Sequence, residues 1–431
     1  MKLITHGTVW QGPQKGFSTG LDILIDGERI AAVGPGLSGQ ARGADVIDAS
    51  GHLVIPGMVN AHTHAAMTLL RSFADDLPLQ TWLTEKIWPV ESQLTGDDVY
   101  WGTLLAIVEM IRGGVTTFAD MYFFMDRVAE AVEASGVRAL LAPGLFDGEG
   151  WERQLADAKA LFKTWHGAAG GRIRVAFGPH APYSAFNVMR RAAQVAGELG
   201  TLVHIHLSET RREVEECRQR HGVTPIALAA REGVFDVPVL AAHCVHVTTE
   251  DMALMAERGV RVAHNPTSNM KLGSGRAPVQ AMLERGLVVG LGTDGAASNN
   301  NLDLLEEARL AAFLAKMEEA PAALPAPQVL HMATAGGAAA LGWSEIGAIE
   351  PGRAADLVFV DTSGPHWQPP FDPCANLIYS ASARDVTSVM VAGRFVMKDG
   401  ELCTVDEEQV LREAARRGFA LVQRAPGRVR P

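Results

Sequence analysis

The run Val54-Ile55-Pro56-Gly57-Met58-Val59-Asn60-Ala61-His62-Thr63-His64 is apolar until it ends on two histidines one residue apart. Alternate side chains on a strand share a face, so His62 and His64 project together. Two imidazoles on one face can hold one metal ion. A polar loop after a buried strand would read the same way, since histidine has many structural uses. Downstream residues favour the metal. His180, His206, His243 and Asp294 each stand at the end of a later strand-length apolar run. Independent structural histidines would not fall there so regularly. Three imidazoles and a carboxylate suit zinc or another borderline divalent metal, iron or manganese among them, and leave room for a water. Glu209 follows His206 by three residues, where a carboxylate suits general acid/base work beside an activated water. The alternative is a helix first-turn Glu ahead of Arg211 and Arg212. No lysine occurs in the fourth run, Ile173–Phe177, so a modified lysine bridging two metals has no candidate, and one metal is expected.

These residues need a scaffold that brings strand ends to one rim. From Pro56 onward short apolar strands alternate with amphipathic helices, the pattern of a parallel α/β sheet. The strands read as Val54–His64, Val115–Asp120, Val137–Leu141, Ile173–Phe177, Leu202–His206, Val237–His243, Val260–His264 and Leu287–Leu291. One intervening helix shows an apolar stripe through Trp101, Leu104, Leu105, Val108 and Ile111. Eight such units predict a (β/α)8 TIM barrel, whose active site lies at the C-terminal strand ends. Before Pro56 and after Gly342 the chain reads instead as short β runs, with Asp26-Gly27 as a hairpin signal. A helix from about Asp406 to Gln423 follows. The expected division is 1–56 and 344–431 as the two parts of a small discontinuous β-sandwich domain, with 57–343 as the metal-dependent barrel.

Composition narrows the function. Lys+Arg 38 against Asp+Glu 49 gives a net charge of −11, which argues against nucleic acid as a bulk partner. No apolar run approaches the roughly twenty residues that span a bilayer. The start carries no signal-peptide core, and the four cysteines are scattered without a Cys-x-x-Cys. A cytoplasmic address with free thiols is expected.

The motifs together resemble the amidohydrolase superfamily, specifically its single-metal deaminase branch. They are Pro56–His64, Gly178-Pro179-His180-Ala181-Pro182-Tyr183, His204–Thr210, Ala242–His246, His264–Leu272 and Gly292–Asn300. Within that branch the chain looks most like 5′-methylthioadenosine/S-adenosylhomocysteine deaminases; triazine chlorohydrolases and guanine deaminases share several motifs. The resemblance implies that His62, His64, His206 and Asp294 hold the metal. It implies that Glu209 moves a proton from water to the adenine ring nitrogen, with His243 and Asp294 orienting that water. Hydrolysis would release ammonia and leave hypoxanthine in place of adenine. A homo-oligomer, dimer or tetramer, is implied as well.

Outer positions bear on the substrate. Glu91 matches the family residue that binds ribose hydroxyls; otherwise it is a solvated Glu after Pro89-Val90. His180 matches a contact to the base, with a turn-stabilising histidine as the alternative. Trp82 would wall the thioether side, although core packing is the commoner use of tryptophan. Some relatives place two arginines near the homocysteine carboxylate. Pro143 stands where one aligns and Arg153 aligns loosely with the other, so 5′-methylthioadenosine is expected to be preferred over S-adenosylhomocysteine or adenosine. His204 and Cys244 read as core residues, and Asn299, Asn300 and Asn301 as cap or loop residues. Rival readings are a deaminase or chlorohydrolase of another heterocycle and, more remotely, a non-catalytic assembly protein of the same fold.

Overall fold

The computed structural model describes residues 1–425. Eight strands run parallel, in two sets. β1 (Met58–Thr63), β2 (Val115–Tyr122), β3 (Arg138–Leu145) and β4 (Ile173–Val175, continued by Gly178–Pro179) form one set. β5 (Val203–Leu207), β6 (Val239–His243), β7 (Arg261–His264) and β8 (Val289–Leu291) form the other. Every residue of β2, β5 and β6 is buried, as expected of parallel strands covered on both faces.

The two sets meet at both seams. Phe177 bridges Val203 in parallel register, and the His206 N–H donates to the His180 carbonyl at 3.0 Å. At the other seam the Asp294 N–H donates to the His62 carbonyl at 3.0 Å. Gly292 permits this approach, because a Cβ there would lie 2.9 Å from the His62 nitrogen and 2.3 Å from Asn265 Oδ1. The helix Gly96–Arg112 carries the stripe read from the sequence, with Leu104, Val108 and Ile111 buried. Thr95 and Asp98 start it by bonding each other's backbone N–H, which satisfies two donors the first turn leaves open.

The run Val54–His64 is two strands rather than one. His52–Pro56 pairs with Leu357–Asp361 in a seven-stranded sheet, and only Met58–Thr63 joins the parallel set. Gly57 makes the break, since a Cβ there would fall 2.1 Å from Thr116 Oγ1. The seven-stranded sheet also takes Thr8–Trp10, Phe17–Ser18, Val386–Val391, Arg394–Lys398 and Glu401–Leu402, so it draws on both ends of the chain. A four-stranded sheet (Lys2–Thr5, Asp22–Asp26, Arg29–Gly34, Asp45–Asp48) lies against it through Ile4, Ile23, Ile30, Val54, Leu357 and Met390. The hairpin near Asp26 turns on Gly27-Glu28, because Asp26 itself pairs with Arg29 and Gly27 takes φ +58°.

The terminal helix spans Glu407–Arg424. All four cysteines are free, and among the described residues no helix is long and apolar enough to cross a membrane.

Candidate active site

The ends of β1, β5, β6 and β8 converge. His62 Nε2 lies 3.5 Å and His64 Nε2 3.2 Å from the same Asp294 oxygen, Oδ1. His206 Nε2 lies 3.4 Å from His64 Nε2. Each of these three rings has its far nitrogen engaged. His64 Nδ1 donates to the Met121 carbonyl at 2.5 Å, and His206 Nδ1 donates to the His180 carbonyl at 2.8 Å. A carbonyl can only accept, so both Nδ1 atoms carry a proton and each Nε2 is the atom left to face a cation. His62 Nδ1 shares a 2.8 Å hydrogen bond with His204 Nε2. His62 Nε2 is buried and has no hydrogen-bond partner.

Burial drives the His62 pKa down to about 4, although the nearby Asp294 carboxylate works the other way. Burial and the neighbouring imidazoles likewise hold His206 well below the ordinary value. Asp294 is buried too, yet His62 and the other imidazoles around it keep it well below the usual carboxylate range. Because His62 is neutral at pH 7, its approach to Asp294 is not an ion pair. A neutral imidazole that turns its lone pair toward a carboxylate at this distance is repelled unless a cation sits between them, and deprotonated donors are what metal binding requires. The donor set fits a divalent cation. His62, His64 and Asp294 form one group with mutually close donor atoms; His62, His206 and His243 form another.

The donors are tightly braced. Asp294 Oδ2 accepts from Ser268 Oγ at 2.6 Å and Ser298 Oγ at 3.1 Å, and Oδ1 accepts from the Gly295 N–H at 2.8 Å. Such outer partners fix the orientation of ligands. His204, read as a core histidine, is fully buried but also supports His62, and its Nδ1 has no partner. Ser208, His243, Cys244 and Asp294 all take positive φ (53°, 71°, 49° and 60°). Non-glycine residues do so at a cost that the surrounding structure must offset.

Beside the donors, Glu209 Oε2 lies 3.9 Å from His243 Nε2, and both residues are at least 95% buried. Burial pushes the Glu209 carboxyl above its ordinary value, with His243 opposing. Burial works against a charged His243, yet the Glu209 and Asp294 carboxylates hold it above its ordinary value. His243 Nδ1 bonds Asn269 Oδ1 at 2.8 Å, which orients the ring.

Glu209 and His243 line one cleft together with His64, His206 and Asp294. Trp82, Glu91 and His180 line the same cleft. Trp82 opens a π-helical turn, Trp82–Ile87, that leads directly into the helix carrying Glu91, Trp88–Glu91. Glu91 is buried, and Tyr122 Oη donates to its Oε1 at 2.6 Å. Burial pushes Glu91 up to about 7 against the pull of that hydrogen bond. His180 is driven down to about 3, chiefly by burial, so it is neutral; its Nδ1 bonds Ser184 Oγ at 2.7 Å.

Phe146, Tyr122 and Tyr183 complete the walls and were not singled out in the sequence. Phe146 stacks on both His180 (4.8 Å) and Phe123 (5.9 Å). Aromatic residues at strand ends look like core packing, so only the flanking His180 motif pointed to them. Arg153 is not brought to this cleft. It lies on the helix Trp151–Trp165 with its side chain 88% exposed, 3.9 Å from Asp157. Pro143 lies within β3, paired with Tyr122. Among the described residues the cleft lining holds no lysine or arginine.

The amidohydrolase family model matches residues 53–396. The chain is 48% identical over 429 residues to a 5-methylthioadenosine/S-adenosylhomocysteine deaminase of Pelotomaculum thermopropionicum, across 98% of this chain and 99% of that one. Its structure is similar to that of an adenosine deaminase from Xanthomonas campestris with bound zinc, at TM-score 0.92 and 37% identity over 98% of each chain. It is also similar to an atrazine chlorohydrolase from Arthrobacter aurescens TC1 complexed with zinc, at TM-score 0.90 and 28% identity over 97% of this chain and 100% of that one. With a family match over most of its length and a near full-length relative at this identity, the chain belongs to the amidohydrolase family.

Proposed function

We propose that the protein hydrolytically deaminates the adenine ring of 5′-methylthioadenosine and S-adenosylhomocysteine, giving the inosine analogue and ammonia. One observation carries this reading: a single cleft holds Glu209 and His243 beside the clustered donors, and the buried Glu91 as well. A heterocycle without ribose would need no second carboxylate. Relatives that carry this activity in their names, similar over nearly the whole chain, support the same substrate class.

His62, His64, His206 and Asp294 would hold one divalent cation, zinc in our reading, with iron and manganese as the alternatives. Such a cation supplies positive charge that lowers the pKa of a water. Glu209, a carboxylate made more basic by its burial, takes the water's proton and delivers it to the adenine ring nitrogen. Protonation of the ring makes the amine-bearing carbon electrophilic. His243, held by Asn269, orients the attacking water together with Asp294. The oxygen adds to that carbon, and its remaining proton passes to the amino group, which leaves as ammonia as the carbon–oxygen double bond forms. Glu91 accepts from the ribose hydroxyls, His180 meets the base, and Trp82 walls the side toward the 5′-substituent. The acidic cleft lining, with Arg153 far out on its helix, supports a preference for 5′-methylthioadenosine over the homocysteine compound.

For the scaffold, the backbone bonds at both seams support a closed (β/α)8 barrel over 57–343. Residues 1–56 and 344–431 would build the β-sandwich domain. A homo-oligomer in the cytoplasm belongs to the same reading, and sedimentation of the purified protein tests its oligomeric part.

The activity test adds metal-loaded protein to 5′-methylthioadenosine and follows the ultraviolet change from adenine to hypoxanthine with ammonia release. Turnover is expected. Bound metal without turnover would move the substrate to guanine, another aminopurine or a triazine.

A further inference from the structure

Glu213 takes no part in the chemistry above, yet it is 7% exposed in the first turn of the helix Arg211–His221. Both of its carboxylate oxygens accept from the backbone. The Ser208 N–H donates to Oε1 at 3.0 Å and the Glu209 N–H donates to Oε2 at 2.7 Å. The backbone it grips is bent: Ser208 sits at φ +53°, a left-handed conformation that disfavours residues other than glycine. From the other side, the Ser208 carbonyl accepts from the His246 N–H at 2.8 Å. Thr210 Oγ1 accepts from the Glu213 N–H at 3.1 Å, so the turn and the helix start form one unit.

We propose that Glu213 is a positioning residue whose two-oxygen clamp holds the Ser208–Glu209 turn in the bent form that aims Glu209 into the cleft. A carboxylate suits this because both oxygens must accept. Glutamine, of the same shape, would set its NH2 group against one of the two N–H donors. Aspartate keeps the charge but is one methylene short. The proposal rests on the proton-carrying role given to Glu209 above, and its tests separate the two.

Glu213→Gln should speed amide hydrogen exchange at Ser208 and Glu209 by roughly tenfold or more, the scale of one left-handed residue released. On the metal-loaded enzyme, kcat per bound metal should fall by a similar factor while KM and metal content stay within about threefold. A merely structural role would instead lower melting temperature and metal content and leave kcat per bound metal unchanged. In a Ser208→Gly background the effect of Glu213→Gln on kcat should shrink to a few-fold, because glycine adopts positive φ freely. If Glu213→Gln fails to fold, Glu213→Asp serves in its place with the same expected loss of protection. Unchanged exchange, kcat per bound metal within twofold of wild type, or an equal loss in both backgrounds overturns the clamp. Should the metal-loaded wild type turn over no nucleoside, the deaminase reading falls, and the exchange rates alone still decide for or against Glu213.

Discussion

Tyr122→Phe removes one oxygen and little else, and it isolates how the cleft tunes Glu91. The hydroxyl donates to Glu91 Oε1 at 2.6 Å, and burial already pushes that carboxyl up to about 7. A hydrogen bond to a charged group contributes about 1.5–3 kcal/mol, so losing it should carry the Glu91 pKa to about 8–9. Ribose hydroxyls donate, so Glu91 must be ionised to accept from both. At pH 7 the ionised fraction then drops from about one half to roughly a tenth or a hundredth, and KM for the nucleoside rises about 5- to 50-fold. The sign follows from the raised pKa: affinity is regained as pH increases, so the variant's KM should approach wild type near pH 9. The assay is initial rate against 5′-methylthioadenosine concentration from pH 6 to 9, and kcat should change less than KM. A variant whose KM stays within twofold of wild type at pH 7, or whose deficit does not shrink with rising pH, refutes both the ribose role of Glu91 and its tuning by Tyr122.

Glu209→Gln should keep its metal but lose kcat by about 10²–10⁴-fold; a near-normal rate would mean that another group carries the proton. His206→Ala should lose metal on dialysis, measured as bound metal per chain, whereas retention would remove it from the ligand set. Ser268→Ala takes away the 2.6 Å bond to Asp294 Oδ2 and should weaken metal affinity about tenfold, read by competition with a chelator. Folded Glu91 holds its proton up to about pH 7, whereas the unfolded carboxyl releases it near 4.5. Its contribution to stability therefore falls as pH rises between those values, on the order of 3 kcal/mol. Glu91→Gln should remove that slope in urea melts at pH 5 and pH 8, and parallel slopes in the two proteins would count against a buried, raised carboxyl.

The clustering of the histidines at the strand ends was legible because its signal is local. His62 and His64 end one strand, His206 and His243 end two neighbouring strands, and period two with donor chemistry suffices to group them. What held them in place was not legible, because it depends on tertiary partners far apart in sequence. Tyr122 meets Glu91 across 31 positions, and Ser268 meets Asp294 across 26. The left-handed turns at Ser208, His243 and Asp294 fall on residue types that adopt that conformation only occasionally, Asp and His more than Ser; hydrogen bonds with Glu213, Asn269 and Ser268 brace those stretches from elsewhere in the chain.

The break at Gly57 was hidden for a different reason. Residues 53–56 and Met58–Thr63 are all buried, so hydrophobicity runs through the junction even though the two strands enter different sheets. The clue was Pro56-Gly57 itself. Proline lacks the N–H that would continue a ladder, and glycine is the one residue that fits 2.1 Å, measured from a would-be Cβ, from Thr116 Oγ1. That junction has a functional consequence: it lets a strand paired with Leu357–Asp361 feed directly into the one that presents His62 and His64. The terminal sheets therefore anchor the strand that presents His62 and His64 through its N-terminal neighbour.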